Sequence, residues 1–245
     1  MNERMEKKIH MLCVWSGACF ALLTLLGLIF LARFVPPPSP ADNTRQVVEI
    51  YQQNSNGIRI GMISMMFGAA LFIPFTALIT HYIICIEGKV GVISIMQIMG
   101  GFSNVLLFFY PCLWWLTASF RLDRNPDLIH MLHDAAWLQW MGGMAPFLFM
   151  LVSVAIAAFV DESEKPVFPR WLGYFNIWAV IAFLPDQMLF FFKTGPFAWN
   201  GIFAWWIPVF TFFGWFVVMF FVLRKAVKED AVMTVVPPIR AATTM

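Results

Sequence analysis

Asp127, His130, His133 and Asp134 stand close enough in sequence to share one metal ion or one proton, and Asp186 interrupts a long apolar run. The first four belong to the stretch Arg121-Leu122-Asp123-Arg124-Asn125-Pro126-Asp127-Leu128-Ile129-His130-Met131-Leu132-His133-Asp134. Asn125 before Pro126 reads as a helix start, because Asn accepts from the free N–H groups and Pro fits the first turn. On the helix that follows, Asp127, His130 and Asp134 fall at i, i+3 and i+7, on one face, with His133 beside them. Two imidazoles and two carboxylates in that space can bind Zn²⁺, Mn²⁺ or Fe²⁺. A single helix offers only part of a coordination shell, so a further group would have to come from another segment. The ordinary alternative is a polar cap at the membrane surface. There Asp127 favours the helix N-terminus, and Arg121 and Arg124 pair with Asp123 or Asp134.

Asp186 follows Pro185, about 15 residues beyond Trp171, which on a helix is roughly 22 Å. That puts a carboxylate in the outer half of a bilayer, where it costs about 2.5–3.5 kcal/mol even on the lenient insertion scale. It must face protein, a cavity or a ligand. Asn104 and Gln139 are the polar residues expected to meet it, either in a structural hydrogen bond or as co-ligands of a bound molecule. By depth, Asp186 and the group from Asp127 to Asp134 lie towards the same face of the membrane. His81 falls at the opposite face and His10 before the first span, so neither joins His130 and His133, and no haem pair is expected. Cys13, Cys19, Cys85 and Cys112 contain no CxxC spacing and read as small buried hydrophobes.

The elements that carry these residues are apolar to an unusual degree. Of 245 residues, 60% are hydrophobic and only 12% charged, against about a quarter charged in soluble domains. Six continuous apolar runs are each long enough for a ~30 Å hydrocarbon core: about Met11 to Phe34, Ile60 to Ile86, Val92 to Phe120, Ala135 to Val160, Trp171 to Phe192 and Gly201 to Leu223. Continuous rather than alternating runs exclude a barrel. The fold class is therefore all-α: a polytopic transmembrane bundle of six spans, one domain over residues 1–228, with a poorly ordered tail over 229–245. A net charge of +2 without basic runs excludes a nucleic-acid partner.

Orientation follows the bias of Lys and Arg towards the cytoplasm. With both termini inside, Arg4, Lys7, Lys8, Lys89, Lys165, Arg170, Arg224, Lys225, Lys228 and Arg240 lie on the inner side; Arg33, Arg45, Arg59, Arg121, Arg124 and Lys193 lie outside. Trp114, Trp115, Trp137, Trp140, Trp171, Tyr174, Trp199, Trp205 and Trp206 fall near span ends, the place of interfacial anchors. The longest outer loop begins with Pro36-Pro37-Pro38-Ser39-Pro40, and residues 44–53 could form a short surface helix. Gly100-Gly101, Gly142-Gly143 and Gly68 permit close helix contact. No GxSxG, P-loop, HExxH, arginine ladder or potassium-filter motif is present.

Pro166-Val167-Phe168-Pro169-Arg170-Trp171-Leu172-Gly173-Tyr174-Phe175-Asn176, the run from Phe192 to Gly201, and Phe120 to Pro126 together resemble an uncharacterised family of six-span bacterial integral membrane proteins. The resemblance spans the C-terminal half, implies a bacterial inner membrane, and brings neither an activity nor a site residue. Three functions fit these residues. The first is a carrier or binding protein for a small apolar or amphipathic molecule, with its site at Asp186, Gln139 and Asn104. The second is a non-catalytic subunit or assembly factor, in a homo-oligomer or a larger membrane complex, with an exposed face of small residues such as Gly100 and Gly142. The third is a metal enzyme built on Asp127, His130, His133 and Asp134. Membrane lipid is the expected surrounding partner. No organic cofactor is expected, and a divalent metal only in the third case.

Overall fold

The computed structural model describes residues 2–229, and every regular element in them is helical. The α-helices are α1 (Glu3–Leu25), α2 (Thr44–Glu87), α3 (Val92–Phe120), α4 (Pro126–Gly142), α5 (Leu148–Val160), α6 (Arg170–Phe183) and α7 (Ile207–Lys228). Wider π turns extend α1 over Leu26–Leu31 and precede α7 over Ile202–Trp206; tighter 3₁₀ turns fill Ala145–Phe147 and Leu184–Phe190. Five stretches are long and apolar enough to cross a membrane: Glu3–Leu31, Thr44–Glu87, Val92–Phe120, Pro126–Val160 and Ile202–Lys228. That pattern is the one of a multi-pass membrane protein. The expected tail, apart from Glu229, lies outside the described residues.

The helix starts have local causes. Asn125 accepts from the Asp127 N–H at 2.9 Å, with Pro126 in the first turn. Asn43 and Gln46 cap one another reciprocally, which starts α2 before the apolar run begins. The expected surface helix at 44–53 is consequently the first part of one long α2, kinked at Asn54 (φ −139°, ψ 33°). The Asn54 amide donates to the carbonyls of Leu31 and Ala32 at 2.8 and 3.1 Å, so the kink closes the frayed end of α1. Pro74 and Pro111 lie inside α2 and α3 without ending them, as is tolerated where neighbouring helices crowd the freed carbonyl.

Two expected spans are interrupted. The run from Ala135 to Val160 breaks after Gly142, where Pro146 lacks the N–H that would continue the ladder. The run from Trp171 to Phe192 is α-helical only to Phe183, with Pro185 starting the 3₁₀ stretch. The two breaks meet: Gln187 donates through its side chain to the Gly142 carbonyl at 3.2 Å. The Lys7 ammonium reaches the Lys228 carbonyl at 3.2 Å, so the start of α1 lies beside the end of α7.

Of the glycines named above, Gly143 is exposed and Gly68, Gly100, Gly101 and Gly142 are buried. Gly100 is buried against the Met150 backbone, and Gly142 lies beneath the Phe190 ring, so neither offers an exposed packing face. The π extension of α1 also packs tightly on α2. A Cβ on Gly27 would lie 2.5 Å from the Gly61 carbonyl oxygen, and one on Gly61 equally close to that of Gly27. Both neighbours are backbone and cannot yield. Gly61→Ala is thus expected to lower stability by about 1–3 kcal/mol by forcing the helices apart. Gly214→Ala in α7, where nothing lies within 4 Å, should be neutral or slightly stabilising in the same detergent melting experiment.

Candidate functional site

Asp186 sits in the turn that Pro185 forces on the end of α6, with 1% of its surface exposed. Neither carboxylate oxygen has a hydrogen-bond partner among the described residues. It lines a cavity of about 50 Å³ whose other walls are apolar, among them Leu107 and Phe108 of α3, Trp140 of α4, Phe147, Phe183, and Phe212 of α7. The broken α4–α5 and α6–α7 connections together make this space. A straight helix in either place would hold its side chains away from the break and leave no room for a carboxylate to turn inward. An unpaired acid in an apolar pocket is costly and is ordinarily matched by a partner.

The expected partners are elsewhere. Gln139 accepts from the Trp114 indole N–H, out on the edge of the bundle. Asn104 is fully buried on α3, one turn before Leu107 and Phe108, on the helix face that lines the cavity wall. Its amide nitrogen and oxygen are both unpartnered among the described residues. Neither Asn104 nor Gln139 lines the Asp186 cavity; Asn104 lies one turn before the lining residues Leu107 and Phe108.

The group at the start of α4 is divided. The Thr44 hydroxyl lies 3.3 Å from an Asp127 oxygen and 3.1 Å from His130 Nδ1. His130 Nε2 lies 3.6 Å from an Asp134 oxygen. These contacts tie the start of α2 to α4 as a polar cap. His133 turns inward instead, fully buried, with its Nδ1 2.9 Å from the Tyr51 hydroxyl and its Nε2 without a partner among the described residues. The four do not converge on one point. Among the described residues, the single group of three or more potential ligands with all ligating atoms within 4.8 Å of one another lies at the other end of the molecule.

Sequence reasoning missed the aromatic packing around His133. Trp115, Trp137, Trp140, Trp199 and Trp205 are buried, not anchored at a lipid interface; Trp114, Trp171, Tyr174 and Trp206 are the exposed members of the set. The five buried indoles form one cluster with Phe34, which closes over Trp115 and Trp137 at ring separations of 5.4 and 5.6 Å. Trp199 donates to the Pro38 carbonyl at 2.7 Å, which pins the proline-rich loop to the segment before α7. The indole N–H groups of Trp115, Trp137 and Trp205 have no acceptor among the described residues. Trp140 belongs both to this cluster and to the Asp186 cavity, so the unpaired donors and the unpaired acid occupy adjoining regions. The position of Trp near span ends was visible in the sequence; which way each faces depends on helix rotation, which composition does not encode. No protein-family model matches the chain, and neither does any curated protein or solved structure.

Proposed function

We propose that this is a six-pass membrane protein that binds or carries a small, mainly apolar molecule bearing one cationic or hydrogen-bond-donating head, which Asp186 receives. The observation that carries the reading is the buried Asp186 carboxylate, unpartnered among the described residues, in an otherwise apolar cavity. A cavity of about 50 Å³ accommodates a head the size of an ammonium or hydroxyl group. The apolar remainder would extend between α3, α4 and α7, whose Phe and Met side chains give way more readily than backbone. Asn104 would add a second polar contact from the α3 side, and Gln139 none.

Adding the short segment to the five long ones supports the reading of six passes. The 14 residues of α6 rise about 21 Å. The 7 of the 3₁₀ stretch add roughly 14 Å, enough together for the hydrocarbon layer. An even number of passes agrees with α1 beginning beside the end of α7, and the Lys and Arg bias favours the cytoplasm for that side. The resemblance of residues 166–176 and 192–201 to bacterial proteins supports an inner-membrane location.

Organic extraction of the purified protein, followed by mass spectrometry, tests the reading. Wild type is expected to carry over a small amphipathic molecule that Asp186→Leu, purified identically and equally monodisperse, does not. Identical extracts from the two proteins would overturn it.

A further inference from the structure

A second constellation lies at the opposite end of the bundle, where α1 begins and α2 ends. Glu6 and His10 are one turn apart on α1; His81 and Cys85 are one turn apart on α2. Spacing of i and i+4 aims both members of each pair to one side of their helix, and the antiparallel packing of α1 on α2 turns the two pairs towards each other. One ligating atom each from Glu6, His10 and His81 lie within 4.8 Å of one another. Cys85 stands outside that group of three, on its edge: its Sγ lies 3.9 Å from His81 Nε2, and the Glu6 carboxylate acts on it electrostatically. Cys85 forms no disulfide. All four side chains are half-buried, open enough for an ion to enter and shielded enough to hold it.

From these four residues we infer a binding site for one borderline-soft divalent cation, of which Zn²⁺ is the best match. The donor set is two imidazoles, one thiolate and one carboxylate, a combination that favours zinc over magnesium or calcium. The ring separation agrees with this. Two imidazoles bound to one tetrahedral ion at ~2.0–2.1 Å have their centres roughly 5 Å apart; those of His10 and His81 are 4.9 Å apart and tilted by 51°. A sulfur at ~2.3 Å and a nitrogen at ~2.05 Å from the same ion stand roughly 3.6 Å from each other, close to the 3.9 Å between Cys85 and His81; to complete the shell the Cys85 side chain would have to turn from the edge of the group towards Glu6 and His10. On binding, Cys85 loses its thiol proton to water and coordinates as thiolate. Tyr82, with its ring 6.2 Å from that of His10, walls one side. The ion would staple the cytoplasmic ends of α1 and α2, far from Asp186, and this assignment is independent of the function proposed above.

Cobalt makes the site visible, because thiolate ligation to Co²⁺ adds a near-ultraviolet charge-transfer band to the visible bands of a tetrahedral ion. The full chain, purified in detergent without chelator or polyhistidine tag, is titrated with Co²⁺ and then with Zn²⁺. Expected are both sets of bands saturating at one equivalent and bleached by Zn²⁺. Cys85→Ser should lose the near-ultraviolet band, and His10→Ala and His81→Ala should each lose saturable binding. In a readout that does not depend on colour, Zn²⁺ should raise the melting temperature of wild type but not of His81→Ala. Absence of saturable Co²⁺ binding by wild type would overturn the site, as would spectra unchanged in the two histidine variants. If those variants fail to fold, Glu6→Gln and Cys85→Ser carry the test: spectra identical to wild type in both overturn the site.

Discussion

Once bound molecules are stripped from both proteins by extensive detergent washing, Asp186→Leu is expected to unfold at a higher temperature than the wild type, with a gain of up to about 3 kcal/mol. The carboxylate is buried to 1% exposure and unpartnered among the described residues, so its desolvation is uncompensated by any contact within them. Leu removes that cost. It is bulkier than Asp, but the adjoining cavity of about 50 Å³ takes up the added methyl groups without displacing Phe147 or Phe212. Asp186→Asn should gain less, because its amide is still a buried polar group in need of partners. Thermal melting in one detergent ranks the three as Leu, then Asn, then wild type. The reverse order, with both variants below wild type, would mean that the carboxylate is held by a structural hydrogen bond. A residue that destabilises the protein in which it sits and yet faces a cavity is the pattern of a binding group, whose cost the ligand offsets. The stability gain in Leu and the loss of an extracted molecule are therefore two sides of one effect.

How much of this was legible in the sequence differs from element to element. The apolar runs were, because length and continuity alone decide whether a segment can cross lipid. The start of α4 was too, because Asn125 and Pro126 act within one turn. The helix beginning at Thr44 was legible as a short separate piece; its continuation into the span was not, since Asn54-Ser55-Asn56-Gly57 has a loop composition and its helical state depends on Asn54 reaching the carbonyls of Leu31 and Ala32 from another helix. Asp186 stood out as an acid in an apolar run, but its surroundings did not: Gln139 was expected at its side and is bound to Trp114 instead. The cluster at the start of α1 and the end of α2 had a faint signal, two i, i+4 pairs in Glu6/His10 and His81/Cys85. Only the register of α1 against α2, set in part by the contact of Gly27 with Gly61, brings them together. Hydropathy reports whether a residue tolerates lipid and says nothing about whether it meets lipid or another helix.

The tryptophans put that distinction to the test. Trp137→Ala is expected to cost about 3–5 kcal/mol, the most damaging of the changes considered. Its indole is fully buried and packs against six other rings: Phe34 at 5.6 Å, His133 at 6.2 Å, Trp115 at 5.1 Å, Trp140 at 5.8 Å, Trp199 at 6.2 Å and Trp205 at 5.6 Å. Those rings come from the loop after α1, from α3, from α4 itself and from the segment leading into α7. The hole left by Ala therefore loosens several connections at once, and neighbours held by backbone on all sides cannot collapse to fill it. Trp137→Phe keeps an aromatic face and gives up an indole N–H that has no acceptor among the described residues, so it should recover most of the loss. Trp178→Ala on α6, where the indole is 55% exposed, should change melting far less. Equal destabilisation by Trp137→Ala and Trp178→Ala would mean that both tryptophans act as interfacial anchors. A large effect confined to Trp137 would mean that the end of the bundle away from the start of α1 is held by ring packing. Under the binding reading proposed above, such a closed end would send a ligand to Asp186 from the side, between helices, and not through the aromatic cap.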